Sequence, residues 1–230
     1  MKTLVLFHGW GAAGSIWQRQ VAAGGGQLKV LAPTILRWEP GWLSSYLQKL
    51  PLEECVLVGW SLGGMLLLEA LAGLKATPGG LVLVGVAAAF CRRPNYPWGQ
   101  PAKVVRAMRR ALKDDSQGVL TRFADRCLAP GEKAFRAEAR GYFQPGTSGE
   151  NLASGLDYLL HQDLRPHLPR IPGRPVVVQG DQDAVVSWPQ AQFLHEQMPG
   201  SRLCFLNGAG HLPFLTQAAA FNEILEDILR

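Results

Sequence analysis

The stretch Cys55-Val56-Leu57-Val58-Gly59-Trp60-Ser61-Leu62-Gly63-Gly64-Met65-Leu66-Leu67-Leu68-Glu69-Ala70-Leu71-Ala72-Gly73-Leu74 joins two apolar runs of different length through Gly-x-Ser-x-Gly. Cys55–Gly59 is short and rich in Val and Leu, as a strand buried on both faces of a parallel sheet should be. Leu62–Leu74 has the length of a helix. A serine set in the sharp turn between them projects its hydroxyl above the sheet, and the flanking glycines let neighbouring backbone come close. The helix N-terminus behind it favours the negative charge that forms when a serine attacks a carbonyl. With 26 glycines in 230 residues, a chance Gly-x-Ser-x-Gly is easy to make. The strand before this one and the helix after it are what give it meaning.

Outward from that turn, Leu4–Phe7, Lys29–Ala32, Leu81–Val86, Pro175–Gln179 and Arg202–Leu206 read as five more core strands. Trp42–Leu50, Pro189–Gln197 and Ala218–Leu229 supply helical crossovers, so the predicted class is α/β with a mostly parallel central sheet flanked by helices. Between about Phe90 and Leu168 the texture changes. Ala102–Lys113, Gln117–Leu128, Glu132–Phe143 and Asn151–Leu160 look helical and no strand is convincing, so residues 1–89 and 169–230 read as the core and 90–168 as an all-helical lid insertion. In its first helix Val104, Met108 and Leu112 recur every four residues, while Lys103, Arg106, Arg110 and Lys113 follow the other side.

At 47% apolar and 18% charged residues, the chain has a core too rich for disorder, and four scattered cysteines cannot form a dense disulfide scaffold. Cys55, Cys91, Cys127 and Cys204 form no Cys-x-x-Cys pair, and no histidine stands at metal-ligand spacing, so neither zinc nor any cofactor is expected. The N-terminus runs straight into a strand without a secretory pattern, and glycines, Ser61 and Glu69 break the longest apolar stretch. A cytoplasmic monomer without membrane attachment is the expectation. Charge is lopsided: residues 91–140 carry +7 and the remainder −2, so the basic excess of +5 sits in the insertion. Such a surface attracts an acidic partner, or is a solvated helix face. No aromatic-interleaved platform accompanies it, so nucleic acid is not expected.

A serine hydroxyl needs a base, and the base needs an acid to fix its tautomer. Of the five histidines, His211 in Gly208-Ala209-Gly210-His211 follows the last strand, where a loop at the carboxyl edge of the sheet reaches the serine. The acid is assigned to Asp183 in Gly180-Asp181-Gln182-Asp183, because that spacing carries the carboxylate past the strand end; Asp181 reads as a turn residue bonding its own backbone. Two backbone N–H groups should face the oxyanion, those of Leu62 and, from His8-Gly9-Trp10-Gly11, Trp10. His8 reads as structural, since one base suffices. Trp10, Trp60, Leu62 and Phe123 are assigned to the acyl channel.

Phe7-His8-Gly9-Trp10-Gly11, Gly59-Trp60-Ser61-Leu62-Gly63-Gly64, Gly180-x-x-Asp183 and Gly210-His211-x-Pro213-Phe214 together resemble the α/β-hydrolase family. Within it they look most like the pimeloyl-(acyl-carrier protein) methyl ester esterases of biotin synthesis. The resemblance implies an α/β-hydrolase fold with a helical lid, a Ser61–His211–Asp183 triad, and serine carboxylesterase activity on the methyl ester of a pimeloyl chain carried by acyl-carrier protein. It also implies that Arg136 and Arg140, an Arg-x-x-x-Arg pair on a lid helix, dock that acidic carrier. The alternative reading is a general short-chain carboxylesterase or thioesterase acting on free small molecules. One departure stands out: Pro33-Thr34-Ile35-Leu36-Arg37-Trp38 replaces the family's Asp-x-Pro-Gly-x-Gly-x-Ser loop.

Overall fold

The computed structural model describes residues 2–26, 28–74, 76–143 and 149–230. Among them six strands, β1 (Thr3–Phe7), β2 (Lys29–Leu31), β3 (Cys55–Trp60), β4 (Gly80–Val84), β5 (Val176–Gly180) and β6 (Arg202–Leu206), correspond to the six apolar runs. They pair in the order β2-β1-β3-β4-β5-β6, all parallel. Every residue of β1, β3 and β5 is buried, whereas the edge strands β2 and β6 are largely part-exposed. Central strands covered on both faces are predominantly apolar, a buried polar residue such as Gln179 being hydrogen-bonded, and edge strands need not be. β4 ends two residues before the expected Val86, because Gly85 takes a φ of +54° and turns the chain out of the sheet.

Ten helices among the described residues accompany the sheet. α1 (Gln18–Ala23), α2 (Pro40–Leu47) and α3 (Leu62–Gly73) precede β4; α4 (Ala102–Ala111), α5 (Ser116–Arg126), α6 (Arg136–Tyr142) and α7 (Gly149–His161) lie between β4 and β5; α8 (Trp188–Gln197), α9 (Pro213–Thr216) and α10 (Ala218–Leu229) follow. The sequence pattern does not announce α1. Its six residues and the 3-10 turn before it (Gly14–Trp17) are too short to display a helical period, yet they bury Ile16, Trp17 and Gln20. Among the described residues between β4 and β5 there is no strand, only the isolated bridges Cys91–Gln100 and Arg93–Tyr96. On α4 the buried or part-buried side is Val104, Val105, Met108 and Leu112, and Lys103, Arg106 and Arg110 are exposed. No helix among the described residues is long and apolar enough to cross a membrane.

The expected helix Glu132–Phe143 is instead a 3-10 segment, Pro130–Phe135, followed by α6. Glu132 leaves helical geometry (φ −98°, ψ 15°) because its buried carboxylate turns inward to two backbone N–H groups. All four cysteines are free thiols.

Candidate active site

Ser61 joins β3 to α3 with φ 52° and ψ −122°, a conformation that costs a non-glycine residue about 1–3 kcal/mol and persists only where its surroundings impose it. The surroundings here are visible. Ser61 N–H donates to Val84 O at the end of β4 (2.9 Å), and a Cβ on Gly63 would come within 2.1 Å of His8 O. On the other side, a Cβ on Gly59 would meet Gly64 Cα at 2.5 Å. The glycines of Gly-x-Ser-x-Gly-Gly are therefore contact surfaces between β3, α3 and the β1 loop. Ser61 Oγ makes no capping bond to its own helix.

Asp183 and His211 meet after β5 and β6. His211 Nδ1–H donates to Asp183 Oδ2 at 2.6 Å, with both side chains essentially inaccessible. The carboxylate also accepts from Val185 N–H (2.7 Å) and Val186 N–H (2.9 Å) on Oδ1, and from Gln179 Nε2 (3.1 Å) on Oδ2. Four donors fix its orientation. With Nδ1 donating, Nε2 is the bare acceptor, and among the described residues that buried nitrogen has no partner. Gly85 lies against this pair: a Cβ there would stand 2.8 Å from His211 Nδ1 and 3.3 Å from Asp183 Oδ2. The end of β4 thus touches the serine turn through Val84 and the histidine through Gly85. Asp181 is separate from the pair. Its Oδ1 accepts from Gly208 N–H (2.6 Å), bridging the β5 and β6 loops rather than bonding its own backbone as expected.

The loop after β1 is held by His8, which donates from Nδ1 to Gly9 O (2.8 Å) and accepts at Nε2 from Ile35 N–H (2.8 Å). Burial pushes its pKa down to about 4, so it is neutral at physiological pH and structural in use. The bond to Ile35 is also how Pro33–Trp38 is attached to the loop after β1. Leu62, the first residue of α3, has an N–H without an intrahelical partner, as the first turn of any helix does.

Of the assigned channel residues, the structure puts Trp10 and Phe123 on the wall of a small apolar pocket. Their rings meet edge to face at 5.1 Å. Phe90, Val104, Met108 and Leu156 complete much of its apolar lining, and Gln100 and Arg126 supply its polar side. Trp60 and Leu62 do not line it. Both are fully buried, because alternation in β3 and the first turn of α3 point them into the core. Trp60 instead packs on Phe214 and His211, and its indole N–H donates to His211 O (2.9 Å). Arg136 and Arg140 lie together on α6, and both face Asp125, Arg140 through a bidentate pair at 2.6 and 2.8 Å and Arg136 at 3.6 Å.

Two residues at this site carried no local sequence signal. Gln179 cradles Asp183, and Glu132 ties the helical insertion to the histidine loop. Glu132 Oε2 accepts from Ala129 N–H (2.7 Å) and Gly210 N–H (3.0 Å), beside a bond from His211 N–H to Cys127 O (2.7 Å). Cys127 is no competing nucleophile: burial first, and the Asp183 charge next, raise its thiol well above the ordinary range.

Comparison with known proteins agrees with this architecture. Residues 4–224 match the alpha/beta hydrolase family. The chain is 27% identical, over 99% of its length and 98% of the relative's, to a pimeloyl-(acyl-carrier protein) methyl ester esterase of Aromatoleum aromaticum. It is 28% identical to one of Aeromonas hydrophila, over 97% and 93% of the two chains. Among solved structures, an esterase from Exiguobacterium antarcticum superposes with a TM-score of 0.92 at 24% identity, covering 100% of this chain and 92% of the other. At that identity the superposition speaks for the fold.

Proposed function

The chain belongs to the alpha/beta hydrolase family, and on that premise we propose that it is a serine carboxylesterase whose substrate is the methyl ester of a pimeloyl chain carried on acyl-carrier protein. The observation that carries the esterase reading is the buried Asp183–His211 pair, with its bare Nε2, converging on the same strand end as the strained Ser61 turn.

In this mechanism His211 Nε2 takes the proton of Ser61 Oγ as the hydroxyl attacks the ester carbonyl, and Asp183 holds the tautomer and stabilises the imidazolium. The N–H groups of Trp10 and Leu62 receive the oxyanion. Collapse of the tetrahedral intermediate expels methanol, protonated by His211, and leaves an acyl-Ser61 ester. Water, activated by the same nitrogen, hydrolyses that ester and frees the carboxylate. Trp10 and Phe123 hold the acyl chain, and Trp60 and Leu62 support the histidine loop and the serine turn from below.

The named relatives, similar over nearly the whole length of both chains, support the carrier-bound substrate. So does the basic insertion, in which residues 90–168 serve as the lid. Arg136 and Arg140 share the single carboxylate of Asp125, so this trio keeps a net positive charge on a half-exposed surface. The test compares methyl pimeloyl on carrier protein with the same acyl group on a small thiol. Carrier docking predicts that Arg136→Glu with Arg140→Glu, and rising salt, depress only the carrier-bound reaction, since exposed charges are screened within about 8 Å at physiological ionic strength. A parallel fall on both substrates would assign the arginines to lid structure. No response on either would favour the general short-chain esterase.

A further inference from the structure

The apolar pocket beside the site contains one feature that a neutral acyl chain does not use. Arg126, the last residue of α5, is the single charged side chain among the described residues of its wall. The side chain is solvent-exposed, and its guanidinium is oriented by hydrogen bonds. Nη2 donates to Gln100 Oε1 (2.9 Å) and to Ala184 O (3.1 Å), and Nε donates to the same carbonyl (3.3 Å). Gln100 is itself anchored, its Nε2 donating to Ala184 O (3.2 Å) and Val185 O (2.8 Å). All these partners are neutral. Most other arginines of the insertion that pair do so with a carboxylate: Arg109 with Asp157, Arg122 with Asp115, Arg136 and Arg140 with Asp125. Among the described residues no carboxylate lies within ion-pair distance of Arg126, so its charge is uncompensated and Nη1 is left to donate. Ala184 follows the proposed acid Asp183, so this fork is built into the loop that orients the histidine.

A guanidinium held by neutral partners at the exposed edge of an apolar pocket favours an oxyanion over an uncharged group, since the anion meets an oriented, charged donor with no carboxylate competing for it. We propose that Arg126 is a specificity-determining residue that binds an anionic oxygen group on the substrate, at a point away from the ester being cleaved. This rests on the esterase reading above. Two sources supply that chemistry: the free carboxylate of a dicarboxylic acid half-ester, or the phosphate of a carrier's pantetheine arm.

The experiment uses the full chain and two substrate pairs, each differing by one anion. Monomethyl pimelate is compared with methyl heptanoate, and methyl pimeloyl-phosphopantetheine with methyl pimeloyl-pantetheine. The quantity read is the ratio of kcat/KM within each pair, because losing the bonds to Ala184 O disturbs the Asp183 loop equally for both members. Wild type should prefer the anionic member of one pair, and Arg126→Gln should reduce that preference roughly 2- to 5-fold, the range of a solvent-exposed ion pair. Arg126→Lys, which keeps the charge and loses the fork, should retain an intermediate preference. Preference within the first pair identifies the carboxylate, and within the second the phosphate. If wild type favours the neutral member of both pairs, or Arg126→Gln leaves both ratios unchanged, the proposal is overturned while the esterase reading stands. Hydrolysis of none of the four esters would overturn the esterase reading itself.

Discussion

Removing the Glu132 carboxylate should damage turnover from outside the reacting atoms. Glu132→Ala deletes the acceptor shared by Ala129 N–H and Gly210 N–H, both in a buried setting. A Cβ on Gly210 would collide with Cys127 O at 2.5 Å and with Ala129 N at 2.6 Å, so the histidine loop packs directly on the segment that Glu132 ties to it. Each orphaned buried N–H costs about 1–3 kcal/mol, giving about 2–6 kcal/mol in all. Relief from burying a carboxylate whose Oε1 has no partner offsets part of this, so the net loss should fall near the lower end, about 2–3 kcal/mol. Gly210 immediately precedes His211, and a displacement of about 1 Å in the proposed base would be worth about 100-fold in rate. The assay is kcat/KM on a small methyl ester together with the denaturant midpoint. Glu132→Gln keeps an acceptor oxygen for both N–H groups and should restore most of the rate. Unchanged stability and turnover in Glu132→Ala would refute the clamp. A Gln variant as impaired as the Ala variant would show that charge matters and acceptor geometry does not.

Ser61→Ala should reduce ester hydrolysis by about 10³-fold or more while preserving the fold, checked by steady-state kinetics and circular dichroism. Asp183→Asn should cost about 10⁴-fold, the size of the analogous change in a serine-protease triad, where the histidine is left in the wrong tautomer. Asp181→Asn, which keeps an oxygen to accept the exposed bond from Gly208 N–H, should leave turnover within a few-fold; a reversed order would reassign the acid. His8 is held at about 4 when folded against 6.5 unfolded, so the unfolded state binds the extra proton between those values. Stability is fully present above pH 6.5 and falls by about 3 kcal/mol as pH drops toward 4, and His8→Gln should flatten that slope in pH-dependent melting. Phe123→Ala opens the wall beside Trp10 and should shift preference among ester chain lengths; an equal loss on every length would make Phe123 ordinary core.

Sequence alone determined the sheet, because the central strands, covered on both faces, are runs dominated by apolar residues and the edge strands are short runs of the same kind bounded by turn and polar residues. It also marked Ser61, since a serine between a strand and a helix with glycines around it is a local pattern whose meaning is carried by neighbours in the chain. Short or kinked helices escaped it: α1 lacks a full period, and the break at Glu132 has its cause 78 residues away at Gly210. The inward turn of Trp60 and Leu62, the cradle that Gln179 and Gly85 make for Asp183 and His211, and the neutral partners of Arg126 were likewise decided only by tertiary structure. Each depends on which residues distant in the chain the parallel sheet brings to one edge, and hydrogen bonds and close contacts across that edge leave no periodicity in the sequence to read.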